Sequence, residues 1–79
     1  MNVDITVPPT ADGALQVTIV GWIRKVGDSV VKGEDLAEAT TEKITLYITA
    51  PVDGTIKEIT VLAGKKVKVG SVIGIIDSA

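Results

Sequence analysis

The sequence predicts an all-β fold: a flattened barrel-sandwich of two four-stranded antiparallel sheets related by pseudo-twofold symmetry, with residues 1–79 as one domain. Three observations predict it. The apolar residues are mostly Val, Ile and Leu with Thr interleaved, types that favour strands over helices. Gly and Pro fall at short intervals, the pattern of short strands joined by turns. Finally, the chain repeats itself. A slide of 37 residues sets "VTIVGWIRKVGDSVVKGEDLAEATT" (residues 17–41) on "GTIKEITVLAGKKVKVGSVIGIIDS" (residues 54–78) without a gap. Gly27 meets Gly64 and Gly33 meets Gly70, as Thr18 meets Thr55, Ile19 meets Ile56 and Val30 meets Val67. Matched glycines carry the most weight, because turns needing positive φ recur only where the backbone path recurs.

Along the chain, turn signals stand at "VPPTADG", "KVGD", "VKGED", "APVDG", "LAGKK" and "KVGS". The longest non-repetitive connection is "PPTADGAL" (residues 8–15), stiffened by Pro8 and Pro9. Trp22 aligns with Ile59 in the repeat and reads as core or core-edge packing. "GEDLAEAT" (residues 33–40) is the only stretch that tempts a helix; it is short and runs into Thr-rich strand text, so it reads as strand. A hairpin follows. With Glu42 and Lys43 as a two-residue loop, Ala39 faces Leu46 and Ala37 faces Ile48. One side then carries Ala37, Ala39, Ile44, Leu46 and Ile48, and the other Glu38, Thr40, Thr45, Tyr47 and Thr49; a one-residue slip destroys that sorting. Glu-Lys suits a primed turn poorly and a type I turn better, so something beyond turn propensity selects this pair.

Composition narrows the function. A chain of 79 residues has a thin core, burying only about 60–65% of its unfolded surface. It has no Cys and no His, which removes a disulfide framework, a Cys/His zinc site and any catalytic Ser-His or Cys-His pair. Net charge of −2, no basic run and one Trp with one Tyr argue against a nucleic-acid surface. No apolar run approaches a membrane span. The start "MNVDITVPP" lacks the basic head and apolar centre of a signal peptide, so the expected compartment is cytoplasmic, or the mitochondrial matrix in a eukaryote.

Lys43 is the candidate residue. A lysine in a turn is usually only a solvated charge. This one lies between the two copies of the repeat, which places its hairpin near the pseudo-twofold axis at one end, with both termini towards the other. Glu34, Asp35, Glu38 and Glu42 give the segment around it an acidic bias, whereas Lys57, Lys65, Lys66 and Lys68 lie in the second half. An acidic rim would favour partner docking, although a solvated face explains such charges as well.

The pattern Gly27-Asp28-x-Val30-x-x-Gly33-x-x-Leu36, then Thr41-Glu42-Lys43, then Ala50-Pro51-x-x-Gly54 and a second Gly64 and Gly70, resembles the lipoyl domain of 2-oxo acid dehydrogenase complexes. The resemblance runs from about Ile5 to Asp77, and its lysine spacing is shared chiefly with biotinyl domains and the glycine-cleavage carrier protein. It implies that Lys43 carries covalent lipoic acid, with Glu42 and Ile44 as the flanking turn. It also implies partners: a lipoate ligase or lipoyl transferase, a thiamine-dependent 2-oxo acid decarboxylase, the acyltransferase catalytic domain and dihydrolipoyl dehydrogenase. The domain would then be a carrier within an acyltransferase component, without a catalytic site of its own. In such domains the loop corresponding to residues 8–15 lies near the lysine and helps the decarboxylase recognise its carrier. The family most often has Asp and Ala where this chain has Glu42 and Ile44, and Glu-Gly where it has Gln16-Val17. A biotinyl carrier is the second reading, but biotinyl lysines usually sit between two Met residues, and the only Met here is Met1. An unmodified adaptor module of the same architecture is the third.

Overall fold

The computed structural model describes residues 1–78. Eight strands follow one another: β1 (Asn2–Thr6), β2 (Gln16–Trp22), β3 (Ser29–Val30), β4 (Asp35–Thr40), β5 (Thr45–Thr49), β6 (Gly54–Ile59), β7 (Lys66–Lys68) and β8 (Val72–Asp77). They form two four-stranded antiparallel sheets, ordered β1-β8-β6-β3 and β5-β4-β2-β7. Each sheet therefore takes strands from both halves of the chain. The helix-tempting stretch is strand, as its context predicts, and no helix occurs among the described residues.

Alternation drives the layering. β1 turns Ile5 inward and leaves Asn2, Asp4 and Thr6 outside. The core between the sheets is aliphatic: Ile5, Ile19, Leu36, Ile48, Ile56, Ile73 and Ile76 are its largest fully buried side chains, and no polar or charged side chain is buried among the described residues. On β4 both Leu36 and Ala37 are buried, which strict alternation forbids; a bulge between Asp35 and Ala37 turns both inward. Trp22 packs half-buried against this core and donates its indole N–H to the Val61 carbonyl at 2.8 Å.

The repeat is visible bond by bond. Gly27 N–H donates to the Ile56 carbonyl at 2.8 Å, and its counterpart Gly64 N–H donates to the Ile19 carbonyl at 2.6 Å. Ile56 N–H donates to Asp28, as Ile19 N–H donates to Lys65; Thr60 N–H donates to Ile73, as Ile23 N–H donates to Leu36. The strand bulges recur too, at Ile19/Gly21 and at Ile56/Glu58. The duplication also reaches further than the gapless alignment indicates. β1 and β5 are equivalent at an offset of 43 residues, since Gly33 N–H donates to Ala50 and Gly70 N–H to Val7. The offset changes by six because the stretch from Val7 to Val17 is six residues longer than its counterpart from Ala50 to Gly54.

This correspondence corrects one expectation. The lysine hairpin does not lie near the pseudo-twofold axis. Its counterpart in the other half is the pair of chain termini: Thr41 N–H donates to Ile44 at 2.9 Å, and Ser78 N–H donates to Met1 at 2.8 Å. The axis thus passes between hairpin and termini, and they occupy opposite ends of a molecule 36 Å in its longest extent.

The matched glycines have the backbone conformation that the repeat requires. Gly27 and Gly64 have φ of 95° and 88°, and Gly33 and Gly70 have 88° and 90°. A side chain at Gly64 would meet no atom within 4 Å, so any penalty there is backbone strain alone. Gly64→Ala is expected to lower unfolding stability by about 1–2 kcal/mol, whereas Gly21→Ala, at an equally open site without positive φ, leaves it unchanged or raises it by up to about 1 kcal/mol. Urea denaturation of the two variants measures the contrast.

Candidate functional site

The β4–β5 hairpin has the register that the apolar sorting requires: Ala37 pairs with Ile48, Glu38 with Tyr47, Ala39 with Leu46 and Thr40 with Thr45. Glu42 and Lys43 form its tip and both are exposed, while Ile44 is half-buried. Neither Glu42 nor Lys43 has positive φ, so the turn is not of the primed type. The Lys43 ammonium makes no ion pair or hydrogen bond among the described residues. It is a free amine on a short support.

Thr41 explains how an unfavourable turn pair is held. Its hydroxyl accepts the amides of Lys43 and Ile44, each at 3.1 Å, and donates to Asp12 Oδ2 at 2.7 Å. A hydroxyl offers one donor and two acceptor lone pairs, and here all are used. Thr40 closes the other side, its hydroxyl lying 3.0 Å from the carbonyls of both Thr41 and Ile44. The turn amides thus bond to a side chain where a tight ladder would use a carbonyl.

Asp12 comes from the long β1–β2 loop, which is itself knitted together. The Thr10 hydroxyl donates to Asp12 Oδ1 at 2.6 Å and accepts the Ala14 amide at 2.8 Å. Its ends are pinned where Val7 N–H donates to Ser71 and Val69 N–H donates to the Leu15 carbonyl. An ionised carboxylate can only accept, so Asp12 sets the direction of the Thr41 hydroxyl. The Thr10 hydroxyl first, and then the Thr41 hydroxyl, hold the Asp12 carboxyl below its ordinary value of 3.8, against the opposing effect of partial burial. Sequence reading placed the loop near the lysine only by resemblance and missed the roles of Thr41 and Asp12. Their local signal was the "TADG" run, a turn in which Thr and Asp side chains bond nearby backbone.

The charges are distributed differently from the sequence expectation. Of the four acidic residues, only Glu42 stands at the tip. Glu34 and Asp35 sit at the far end of β4, roughly 17 Å of strand away, and Glu34 is ion-paired with Arg24. That guanidinium and the Val31 amide lower the Glu34 carboxyl. Glu38 lies midway along, opposite Tyr47. Sequence proximity misleads here because an extended strand carries its ends apart. Conversely, Lys66 is remote in sequence yet near the hairpin: β7 pairs with β2 at Thr18, and Thr18 pairs with Thr40.

A duplicated β domain that presents one unpaired amine on a braced hairpin, with its termini at the opposite end, defines the class of carrier domains. The family model described as "Biotin-requiring enzyme", of the biotin–lipoyl type, matches residues 3–76, and the chain belongs to that family. It is similar to the dihydrolipoyllysine-residue succinyltransferase component of the 2-oxoglutarate dehydrogenase complex of Rickettsia felis, with 45% identity over 74 residues, covering 94% of this chain and 18% of the relative. It is also similar to the dihydrolipoyllysine-residue acetyltransferase component of the pyruvate dehydrogenase complex of Corynebacterium glutamicum, with 38% identity over 76 residues, covering 96% of this chain and 11% of the relative. The chain thus spans less than a fifth of the length of these curated relatives. In structure it matches the lipoyl domain of the Azotobacter vinelandii 2-oxoglutarate dehydrogenase complex, solved in solution, with a TM-score of 0.74, 28% identity and 96% coverage of both chains.

Two tests address the brace. Thr41→Val keeps the shape but removes the partner of two amides and of Asp12 Oδ2; it is expected to destabilise the fold by about 1 kcal/mol and to speed exchange of the Lys43 and Ile44 amides, with Thr41→Ser restoring both. The second is a pH titration. Because folding favours the Asp12 carboxylate, its contribution is complete above 3.8 and is lost only as the pH falls through the lowered folded value. The carboxyl carbon shift of Asp12 and the amide shifts of Lys43 and Ile44 should therefore titrate together, below the ordinary aspartate midpoint; unlinked midpoints would show that the brace does not reach the turn.

Proposed function

We propose that this domain carries lipoic acid as an amide on the Lys43 Nζ and serves as the swinging-arm carrier of a 2-oxo acid dehydrogenase complex acyltransferase. The observation that carries this reading is the exposed, unpaired Lys43 amine on a tip whose backbone is fixed by Thr41 and Asp12. These residues fit the group: attachment needs an accessible amine in a set position, and the arm needs a support that does not fold over it. A lipoate ligase or lipoyl transferase supplies the activated acyl donor. The deprotonated Lys43 amine attacks the acyl carbon, and the activating group leaves as the amide bond forms. When bound, the dithiolane supplies a redox-active acyl acceptor for a thiamine-dependent decarboxylase, the acyltransferase catalytic domain and dihydrolipoyl dehydrogenase.

What the chain itself contributes is position. Thr41 and Thr40 restrict the turn, so the amine sweeps from a defined origin. The termini stand at the far end, so linkers attached there would leave the tip free to visit each partner, and tethering raises the effective concentration of those encounters. The flanks Glu42 and Ile44, without Met, favour lipoate over biotin.

Incubation with a lipoate ligase, ATP and lipoate should give a single adduct, mapped by mass spectrometry to the peptide containing Lys43. Lys43→Arg should keep the fold and abolish the adduct, because a guanidinium is not acylated under these conditions. Exchanging Glu42 and Lys43 should also abolish it, since the amine is then presented from the wrong point. A well-folded protein that stays unmodified beside a lipoylated control domain would sink the reading in favour of an adaptor module, and a biotin adduct would favour the biotinyl carrier.

A further inference from the structure

Lys43 stands at one end of an open groove of about 490 Å³, within the size range that holds small organic groups. The groove crosses the outer face of one sheet. Thr40 and Thr18, paired across β4 and β2, form its floor, and Lys66 on β7 closes the far rim. Ala14 and Leu15 from the β1–β2 loop make an apolar wall. Leu15 is 85% exposed, the most exposed large hydrophobic side chain after the N-terminal Met1. Its backbone is nonetheless fixed, with its carbonyl bonded to Val69 at 3.0 Å and the Ala14 amide bonded to Thr10. The Thr41–Asp12 bond holds this wall beside the lysine turn.

An apolar side chain held rigidly in water beside a modifiable amine calls for a cover. We propose that the groove is the resting site of the arm on Lys43: the pentanoyl chain and dithiolane lie against Leu15, Ala14 and the methyl groups of Thr18 and Thr40. The inference rests on the carrier reading and goes beyond it, since a carrier could equally hold its arm free in solvent. The occupant follows from continuity, because Lys43 itself lines the groove. The reach is adequate: from β4 to β7 is two strand spacings, about 10 Å, and the lysine methylenes, the amide and the pentanoyl chain together extend further. The contact is shallow and solvent-open on one side, so a partner can displace the arm without unfolding any element.

The test compares the unmodified and enzymatically lipoylated 79-residue chain by NMR, after intact mass has established loading. Expected are NOEs from the pentanoyl and dithiolane protons to the Leu15 and Ala14 methyls, with shift changes reaching Thr18. In the Leu15→Ser variant the NOEs to the Ala14 methyl and the shift change at Thr18 should be lost while the loaded mass and the shift changes of Glu42, Lys43 and Ile44 remain. Leu15→Ala serves as a second variant and should weaken the same Ala14 NOEs. Shift changes confined to the hairpin, with dithiolane protons relaxing as in free lipoamide, would overturn the proposal. So would a Leu15→Ser variant in which the Ala14 NOEs persist. Failure to load, read from the mass alone, would instead overturn the carrier reading on which it rests.

Discussion

Gly27 donates its amide to Ile56, and Gly64 returns the same bond to Ile19. The rest of the molecule depends on this reciprocity. Neither half of the chain can complete a sheet by itself: β1 and β3 of the first half join β6 and β8 of the second, and β2 and β4 join β5 and β7. The exchange puts most contacts between distant parts of the chain and seals an aliphatic layer that would be too thin for either half alone. The core repeats with the backbone. Ile19 has its counterpart in Ile56, Leu36 in Ile73, and Ile5 in Ile48. A small domain gains rigidity in this way without a disulfide.

The functional end arises where the symmetry is broken. Two-fold repetition would make both ends of the barrel alike, and at backbone level they are, since the lysine hairpin and the termini share one bonding pattern. Two differences separate them. At one end Glu42 and Lys43 bridge β4 to β5, whereas at the other β1 starts and β8 ends without such a bridge. The β1–β2 loop is also longer than its counterpart, nine residues against four, and that excess brings Asp12 to Thr41 and Leu15 to the side of the groove. The duplicated strands supply stiffness; the loop supplies the local chemistry.

The brace has a simple electrostatic logic. Asp12 is ionised at neutral pH, so it must accept, and Thr41 must therefore donate to it and offer both lone pairs to the turn. A turn pair without glycine, asparagine or aspartate is thereby tolerated at the tip. The same bond joins the wall of the groove to the base of the arm, so loop and turn act as one unit. Arg24 and Glu34 form a separate pair at the other end of β4, and it bears on the turns near Gly33, not on the lysine.

By itself the sequence determined the strand content, the duplication, the hairpin register and the position of Lys43 at a tip. These follow from local rules: β-branched side chains at period two, glycines recurring where φ must be positive, and an apolar sorting that only one register preserves. The β1–β5 equivalence stayed hidden because the six-residue insertion breaks the alignment, and short aliphatic strands carry too little identity to bridge a gap. Only the tertiary structure decided where the symmetry axis runs, that Glu34 is far from Lys43 while Lys66 is near it, and that Asp12 bonds to Thr41 from 29 residues away. Those relations depend on which strands are neighbours, and strand order is set by the closure of the whole core, not by any segment within it.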